Sequence, residues 1–273
     1  MGRYWLGCSG WAYDDWVGPF YPAGTPPAEF LPRYARVFRT VEVDSSFYRA
    51  PTSFLVRRWA TVTPPDFRFA LKIPKDVTHP EEGTDSSAAL GTFLANLEPL
   101  RTAGKLGPIV LQYPASFRAR ESARLAAHLG AVPREFALAV ELRHDSWWTP
   151  ETRSLLEARG AVLVWSIVPG AHPPPWVTGD FLYARFIGDR ALTEFDRIQR
   201  DRRSDLVAMR ELFDREGRFA TTVFAYSNNH FMGFGPETTA IFAEILGEGR
   251  PDLGRAARDP GQQRLDDIGA GAR

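Results

Sequence analysis

The stretch Ala139-Val140-Glu141-Leu142-Arg143-His144-Asp145-Ser146-Trp147-Trp148 passes from an apolar strand pattern into charge and then into aromatics. Alternate side chains of a strand share a face, so Glu141 and Arg143 point the same way, with His144 and Trp147 just beyond them. That is more polar chemistry than a strand end needs in order to fold. Whether other strands finish the same way decides the architecture.

Apolar runs of strand length recur at 4–8, 40–44, 68–73, 108–113, 136–143, 161–167, 180–186 and 221–226, each followed by a turn signal. Helical patterns fall between them at 28–38, 53–61, 86–102, 120–129, 150–159, 201–216 and 236–246, with Ser86, Thr149 and Gly235 placed as caps. Strands alternating with helices in this number, over roughly 250 residues, predict an α/β chain folded as a single (β/α)8 TIM-type barrel. An open doubly wound sheet usually has fewer strands at this length. One connection is irregular: Pro169, Gly170 and Pro173-Pro174-Pro175 between strands six and seven exclude an ordinary crossover helix and predict a short turn. The barrel is expected over residues 1–246. Residues 247–273 are rich in Gly, Pro, Arg and Asp with little apolar periodicity, which predicts a mobile or partly packed tail.

Composition narrows the function classes. With 273 residues and 44% hydrophobic content the chain can bury one large core. Lys plus Arg and Asp plus Glu number 33 each, so no global field attracts an anionic membrane, and zero net charge argues against nucleic acid as a partner. The single cysteine, Cys8, rules out an internal disulfide framework and a Cys-based zinc cluster; a small buried apolar role suits it. No apolar run reaches the length of a membrane span, and the first residues lack a signal-peptide pattern, so a cytoplasmic location is expected. Oligomeric state leaves no signal.

Active sites of such barrels sit at the C-terminal ends of the strands. There the chain carries Glu42 and Asp44 on the second strand, Lys72 on the third, Gln112 on the fourth and Glu141 with Arg143 on the fifth. Arg185 ends the seventh, and Tyr226 with Asn228 the eighth. Members of each pair stand two apart and share a face. Loops beyond add Trp11, Tyr13, Arg49, His79, His144, Trp147, Asn229 and His230. A purely structural account needs only one satisfied ion pair inside the barrel, whereas six strands contribute polar ends. Each His is by itself a hydrogen-bonded loop residue, and the Trp and Tyr residues serve equally as core plugs or as the walls of a cleft. Lys72, Arg49, Arg143 and Arg185 outnumber Glu42, Asp44 and Glu141, and converging guanidinium groups need an anion to offset their desolvation. Glu141, flanked by cations, stays ionised and acts either as a base or as an orienter of Arg143. No Gly-x-Ser-x-Gly elbow, dinucleotide fingerprint or His-Glu-x-x-His helix occurs, which removes nucleophilic hydrolases of that type and dinucleotide enzymes.

Ser9-Gly10-Trp11, Val41 to Arg49, Lys72 with Thr78-His79, Gln112, Val140 to His144 and Asn228-Asn229, taken in order, resemble the motifs of the YecE-like proteins, domain-of-unknown-function family 72. The resemblance runs from about residue 4 to about residue 246. It implies a barrel of the triosephosphate-isomerase type and a site at these residues, but no reaction, since the family's activity is not established. It also marks three departures: Asp44 where many members carry Asn, Ser166 where many carry Asp, and Ile187 where many carry His.

The reading that follows is an enzyme with no cofactor and no metal, acting on small anionic substrates, phosphorylated ones included. Glu141, Lys72 and His79 would be its catalytic groups. The ligand would meet Arg49, Gln112, Arg143, His144, Trp147, Arg185, Tyr226, Asn228, Asn229, Trp11, Glu42 and Asp44. Alternatives are a non-catalytic binder of an anionic metabolite or nucleic-acid end, and a metal-dependent hydrolase or isomerase using His79, His144 or His230. On the first reading Glu141→Gln leaves the fold intact, and Lys72, Glu141, Arg143 and Arg185 line one cavity, the only large polar one.

Overall fold

A computed structural model describes residues 3–79, 86–217 and 220–258. Each apolar run forms a strand: β1 (Arg3–Cys8), β2 (Thr40–Val43), β3 (Arg68–Lys72), β4 (Leu106–Gln112), β5 (Leu138–Glu141), β6 (Val162–Ile167), β7 (Phe181–Phe186) and β8 (Thr222–Ser227). All pair in parallel, in the order β1-β8-β7-β6-β5-β4-β3-β2. Between and after them lie α1 (Pro27–Tyr34), α2 (Ser53–Val62), α3 (Lys75–Thr78), α4 (Ser86–Asn96), α5 (Glu98–Thr102), α6 (Ser122–Ala131), α7 (Pro150–Arg159), α8 (Arg203–Glu216), α9 (Asn229–Met232) and α10 (Gly235–Leu246). This is the TIM-type barrel that the alternation predicts.

Strand parity sorts the side chains. Trp5, Ala70, Val110, Ala139, Val164, Tyr183, Phe224 and Tyr226 pack inside the barrel, while Val41, Phe69, Leu71, Ile109, Leu138, Val140 and Leu163 face the helices. A strand buried on both faces reads as a continuous apolar run, which is why these segments stood out in the sequence. Following the inner parity upward by two residues reaches Glu42, Lys72, Gln112, Glu141, Ser166 and Arg185, a polar layer that caps the apolar interior.

The barrel closes through a side chain. Between β1 and β2 a parallel bridge joins Ser9 to Glu42, and Gly10 N donates to Glu42 O at 2.8 Å. Below it the Tyr34 hydroxyl of α1 accepts from Cys8 N at 2.8 Å and donates to Thr40 O at 2.9 Å, splicing the ladder where the strands do not pair directly. Gly7 stands at this crossing, and a Cβ there would lie 2.1 Å from Thr40 O. A second thin junction lies between β5 and β6, paired only through Ala139 with Val162 and Val140 with Leu163. The barrel is thus two four-stranded halves, β1-β8-β7-β6 and β2-β3-β4-β5.

Local deviations have plain causes. The helix expected over 86–102 is two helices, because Pro99 lacks the amide that would continue it and instead sits in the first turn of α5. Helix α7 begins where its cap predicts, with Thr149 Oγ1 accepting from Thr152 N at 3.3 Å. Gly235 is the first residue of α10 rather than its cap, a place held by Phe234. No helix joins β6 to β7, as the prolines require. An extended segment returns along β6, where Thr178 Oγ1 accepts from Leu163 N and donates to Ala161 O. In the expected tail, residues 247–258 are mostly exposed, but Ala256 is buried and its carbonyl accepts from Arg33 at 3.2 Å. Residues 259–273 lie outside the described residues.

The spliced seam is testable. Tyr34→Phe keeps the ring and strands a buried N–H and a buried C=O, so it should lower unfolding free energy by about 1–3 kcal/mol in a denaturant titration. A loss below the error of that measurement would show that the seam does not depend on the hydroxyl.

Candidate functional site

The polar layer is organised by Arg185 on β7, whose side chain is almost fully buried. Its guanidinium reaches across the barrel to three strands of the other half. Nε and Nη2 donate to Glu42 Oε1 at 3.1 and 2.8 Å, and Nη1 donates to Gln112 Oε1 at 3.1 Å and to Glu141 Oε2. Glu42 also accepts from Ser9 Oγ at 2.9 Å and from the Tyr183 hydroxyl at 2.7 Å. Glu141 Oε1 accepts from Arg143 Nε at 2.5 Å. Above them Lys72 Nζ pairs with Asp44, which lies 3.6 Å from Arg185 Nη2.

Glu42, Asp44 and Glu141 balance Lys72, Arg143 and Arg185, so the layer is neutral as a whole but stratified. Glu42 and Glu141 are 0% exposed, whereas Asp44 and Arg143 reach solvent. Burial pushes the Glu141 carboxyl upward, yet Arg185, Arg143 and Lys72 together outweigh burial and hold it at about 2. Asp44 is likewise depressed, burial opposing and Lys72 and Arg185 prevailing. Burial lowers the pKa of the Arg185 guanidinium, but the flanking carboxylates Glu42, Glu141 and Asp44 outweigh it and hold the proton more firmly than usual.

Above the layer opens a cavity of about 270 Å³ lined by Tyr13, Asp44, Phe47, Tyr48, Lys72, Gln112, Arg143, Arg185, Ile187, Arg190, Phe195, Asn228, Asn229 and His230. Its walls carry cationic side chains from four positions, Lys72, Arg143, Arg185 and Arg190, against the single carboxylate Asp44. One wall amide is pinned. Asn229 Oδ1 accepts from Gly235 N at 2.9 Å and Trp16 Nε1 at 3.3 Å, which leaves its buried Nδ2 with no hydrogen-bond partner among the described residues. His230 Nδ1 is buried and unpartnered in the same sense, and burial lowers that imidazole's pKa.

Of the residues singled out from sequence, Tyr13, Asp44, Lys72, Gln112, Arg143, Arg185, Asn228, Asn229 and His230 line this mouth. Glu42, Glu141 and Tyr226 lie beneath it, Tyr226 sharing a 2.8 Å hydrogen bond with Thr40 Oγ1. The structure does not bring the other five to the cavity. Trp147 is a core plug whose Nε1 donates to Phe117 O at 2.8 Å. His144 Nδ1 accepts from Ser146 N at 3.0 Å and caps the turn after β5. Trp11 packs edge-on against Trp59 at 5.5 Å. Arg49 is exposed at a separate depression with Ala50 and Trp59. His79 stands behind Phe47 at 5.3 Å and bonds the Thr78 hydroxyl.

Sequence reasoning missed Tyr183, Arg190 and Phe195. Tyr183 shares the parity of Arg185 two residues on and was legible by that rule. Arg190 and Phe195 lie in the long connection after β7, where no periodicity operates. Nor is the mouth the largest cavity. A groove of about 640 Å³ runs beside α8 where the crossover helix is missing, lined by Trp165, Pro169, Met209 and Leu212 among others, and Ser166 borders this groove rather than the mouth.

The burial of Glu141 replaces the expectation that Glu141→Gln spares the fold. Breaking a buried ion pair on one side costs about 3–5 kcal/mol; here the change removes the carboxylate paired with Arg143 and one of those paired with Arg185, which keeps Glu42. We expect a loss of that order in thermal or denaturant unfolding. Because its folded pKa of about 2 lies below the ordinary 4.5, the stabilisation is fully present above about pH 4.5 and is lost as pH falls toward 2. The variant should therefore show a shallower fall in stability over that window, and parallel curves would refute the assignment.

Comparison with known proteins adds the following. The model of the family described as "Protein of unknown function DUF72" matches residues 5–264. The UPF0759 protein YecE of Escherichia coli is 32% identical over 144 residues, 53% of this chain and 50% of that protein. The UPF0759 protein YunF of Bacillus subtilis is 28% identical over 169 residues, 57% of each. The chain therefore spans about half the length of the curated relatives it matches. The crystal structure of a DUF72 family protein from Thermotoga maritima superposes with a TM-score of 0.77 at 29% identity, covering 90% of this chain and 99% of that one. Among the described residues no helix is long and apolar enough to cross a membrane, and no three His, Cys, Asp or Glu side chains converge as a metal site would require.

Proposed function

We propose that this chain, which belongs to the DUF72 family of proteins of unknown function, is an enzyme that acts on a small oxyanion-bearing metabolite at the mouth of its barrel. One observation carries the reading: the cations Lys72, Arg143, Arg185 and Arg190 line the cavity while Glu42 and Glu141 are withdrawn beneath it. Carboxylates so placed fix the guanidinium groups in orientation without competing for the ligand, the preorganisation that oxyanion recognition needs. Asn229 Nδ2 supplies a neutral donor whose direction its pinned oxygen sets. The donor set suits phosphate, sulfate or carboxylate, and repels a divalent cation.

In this reading Glu141 is an orienter, because both its oxygens are already engaged. The group available to move a proton is His230, neutral at physiological pH and lining the mouth. The engagement of Glu141 also favours a second reading, a binder of the same anion without chemistry.

Sulfate or phosphate at fixed ionic strength should raise the melting temperature of the protein, and divalent metals should leave it unchanged. Arg143→Gln should abolish that rise. Co-purification of about one zinc or manganese per chain, lost on changing His79, His144 or His230 to Ala, would replace the anion by a metal. To separate enzyme from binder, a mixture of small organic phosphates and carboxylates is followed by NMR with the wild type and with His230→Asn. Consumption of one component by the wild type alone supports catalysis; line broadening without consumption in both supports the binder.

A further inference from the structure

The cationic floor accounts for only half of the mouth. Its rim carries aromatic rings, and they come from the segments after three different strands. Phe47 and Tyr48 follow β2, whereas Tyr13 follows β1 and Phe195 lies in the connection between β7 and α8. Each is braced. Phe47 meets Tyr48 at 5.4 Å and 85°, and Phe195 meets Tyr13 at 6.2 Å and 78° and the His230 ring at 4.9 Å and 87°. The Phe195 amide is anchored to Asp15 Oδ2 at 2.9 Å, and Gly188 holds its connection against the His230 carbonyl, where a Cβ would come within 2.3 Å. Tyr48 is 64% exposed and lines the outer edge of the mouth.

Ringless metabolites, such as short sugar phosphates, would meet the polar groups of the floor and walls, Gln112, Asn228, Asn229 and His230 among them, but would present no planar face to the rings of Phe47, Tyr48 and Phe195. A planar unsaturated body would gain offset or edge contacts with several rings at once. Size agrees: benzene occupies a cavity of roughly 150 Å³, and the mouth holds about 270 Å³, room for one ring and its anionic group. Arg190 extends the cationic surface to the rim, and it is the one non-glycine residue with positive φ, 53°, among the described residues. Backbone held in that region is a mark of a constrained functional loop.

We propose that the ligand is an aromatic or heteroaromatic oxyanion, its carboxylate or phosphate on Lys72, Arg143 and Arg185 and its ring between Phe47, Tyr48 and Phe195. This rests on the anion reading above and adds the class of the organic part.

The test is calorimetric titration of the full chain with inorganic phosphate, phenyl phosphate, cyclohexyl phosphate, acetate and benzoate at fixed ionic strength. Phenyl phosphate should bind about tenfold more tightly than inorganic phosphate, and benzoate than acetate, as expected for added ring contacts. Phenyl phosphate should also exceed cyclohexyl phosphate, since a saturated ring shares the apolar area without the planar face. Phe195→Ala should lower the affinity for phenyl phosphate by a larger factor than that for inorganic phosphate, and equal losses for both would overturn the role of the ring. Tyr48→Ala, at an exposed position that does not threaten folding, should reduce the advantage of phenyl phosphate in the same direction. Equal affinity for ringed and ringless anions would overturn this proposal and leave the anion reading standing, as would equality of phenyl and cyclohexyl phosphate for the planar claim. Failure of every probe to bind would overturn both. Preference for phenyl phosphate over benzoate identifies the head group as phosphate, and the reverse as carboxylate.

Discussion

A guanidinium buried at the centre of a barrel is tolerable only if nearly all its N–H groups are met by acceptors, and Arg185 commits four of its five to Glu42, Glu141 and Gln112, which leaves one Nη2–H uncommitted among the described residues. Desolvating an ion costs several kcal/mol even after relaxation, so neither the arginine nor its carboxylates can be understood singly. A lysine could not substitute, because one ammonium cannot present a planar fork to acceptors on three strands. Glu42 in turn requires Ser9 and Tyr183, and Glu141 requires Arg143. The network thus fixes the register of the strand ends from within.

That arrangement divides labour by depth. Two of the three carboxylates sit low, where both oxygens of Glu42 and of Glu141 are taken up by donors, and Asp44 alone stands at the mouth, paired with Lys72. Cationic groups sit at the surface of the floor, held from behind. A site assembled this way does not reorganise when charge arrives, which is the property that makes electrostatic stabilisation effective in a confined space.

How much of this was legible differs by element. Parity along β2, β5 and β7 showed which charges share a face, because a two-residue period survives any tertiary context. Depth was not legible. Glu141 and Arg143 read as neighbours on one strand face, yet β5 ends at Glu141, which is sealed, while Arg143 lies beyond the strand and reaches solvent. Trp147 read equally well as wall or plug, since indole serves either and only the position of Phe117 decides. The break before α5 was written in Pro99 and could have been read. Arg190 and Phe195 could not, because a long connection carries no repeat to index its side chains. The β1–β2 seam was likewise invisible, since the hydroxyl that splices it comes from a helix whose pattern says only that Tyr34 faces inward.

The two thin seams turn the barrel into a pair of half-shells, and the floor draws from both. Arg185 and Asn229 belong to one half, and Lys72 and Arg143 to the other. Whatever spans the floor is therefore a fastener between half-shells. The free energy with which it holds the cations is also free energy that opposes parting of the seams. Residence time in the mouth and the lifetime of the closed barrel are coupled quantities, and amide exchange at the Cys8 N–H, beside the spliced ladder, would report on both.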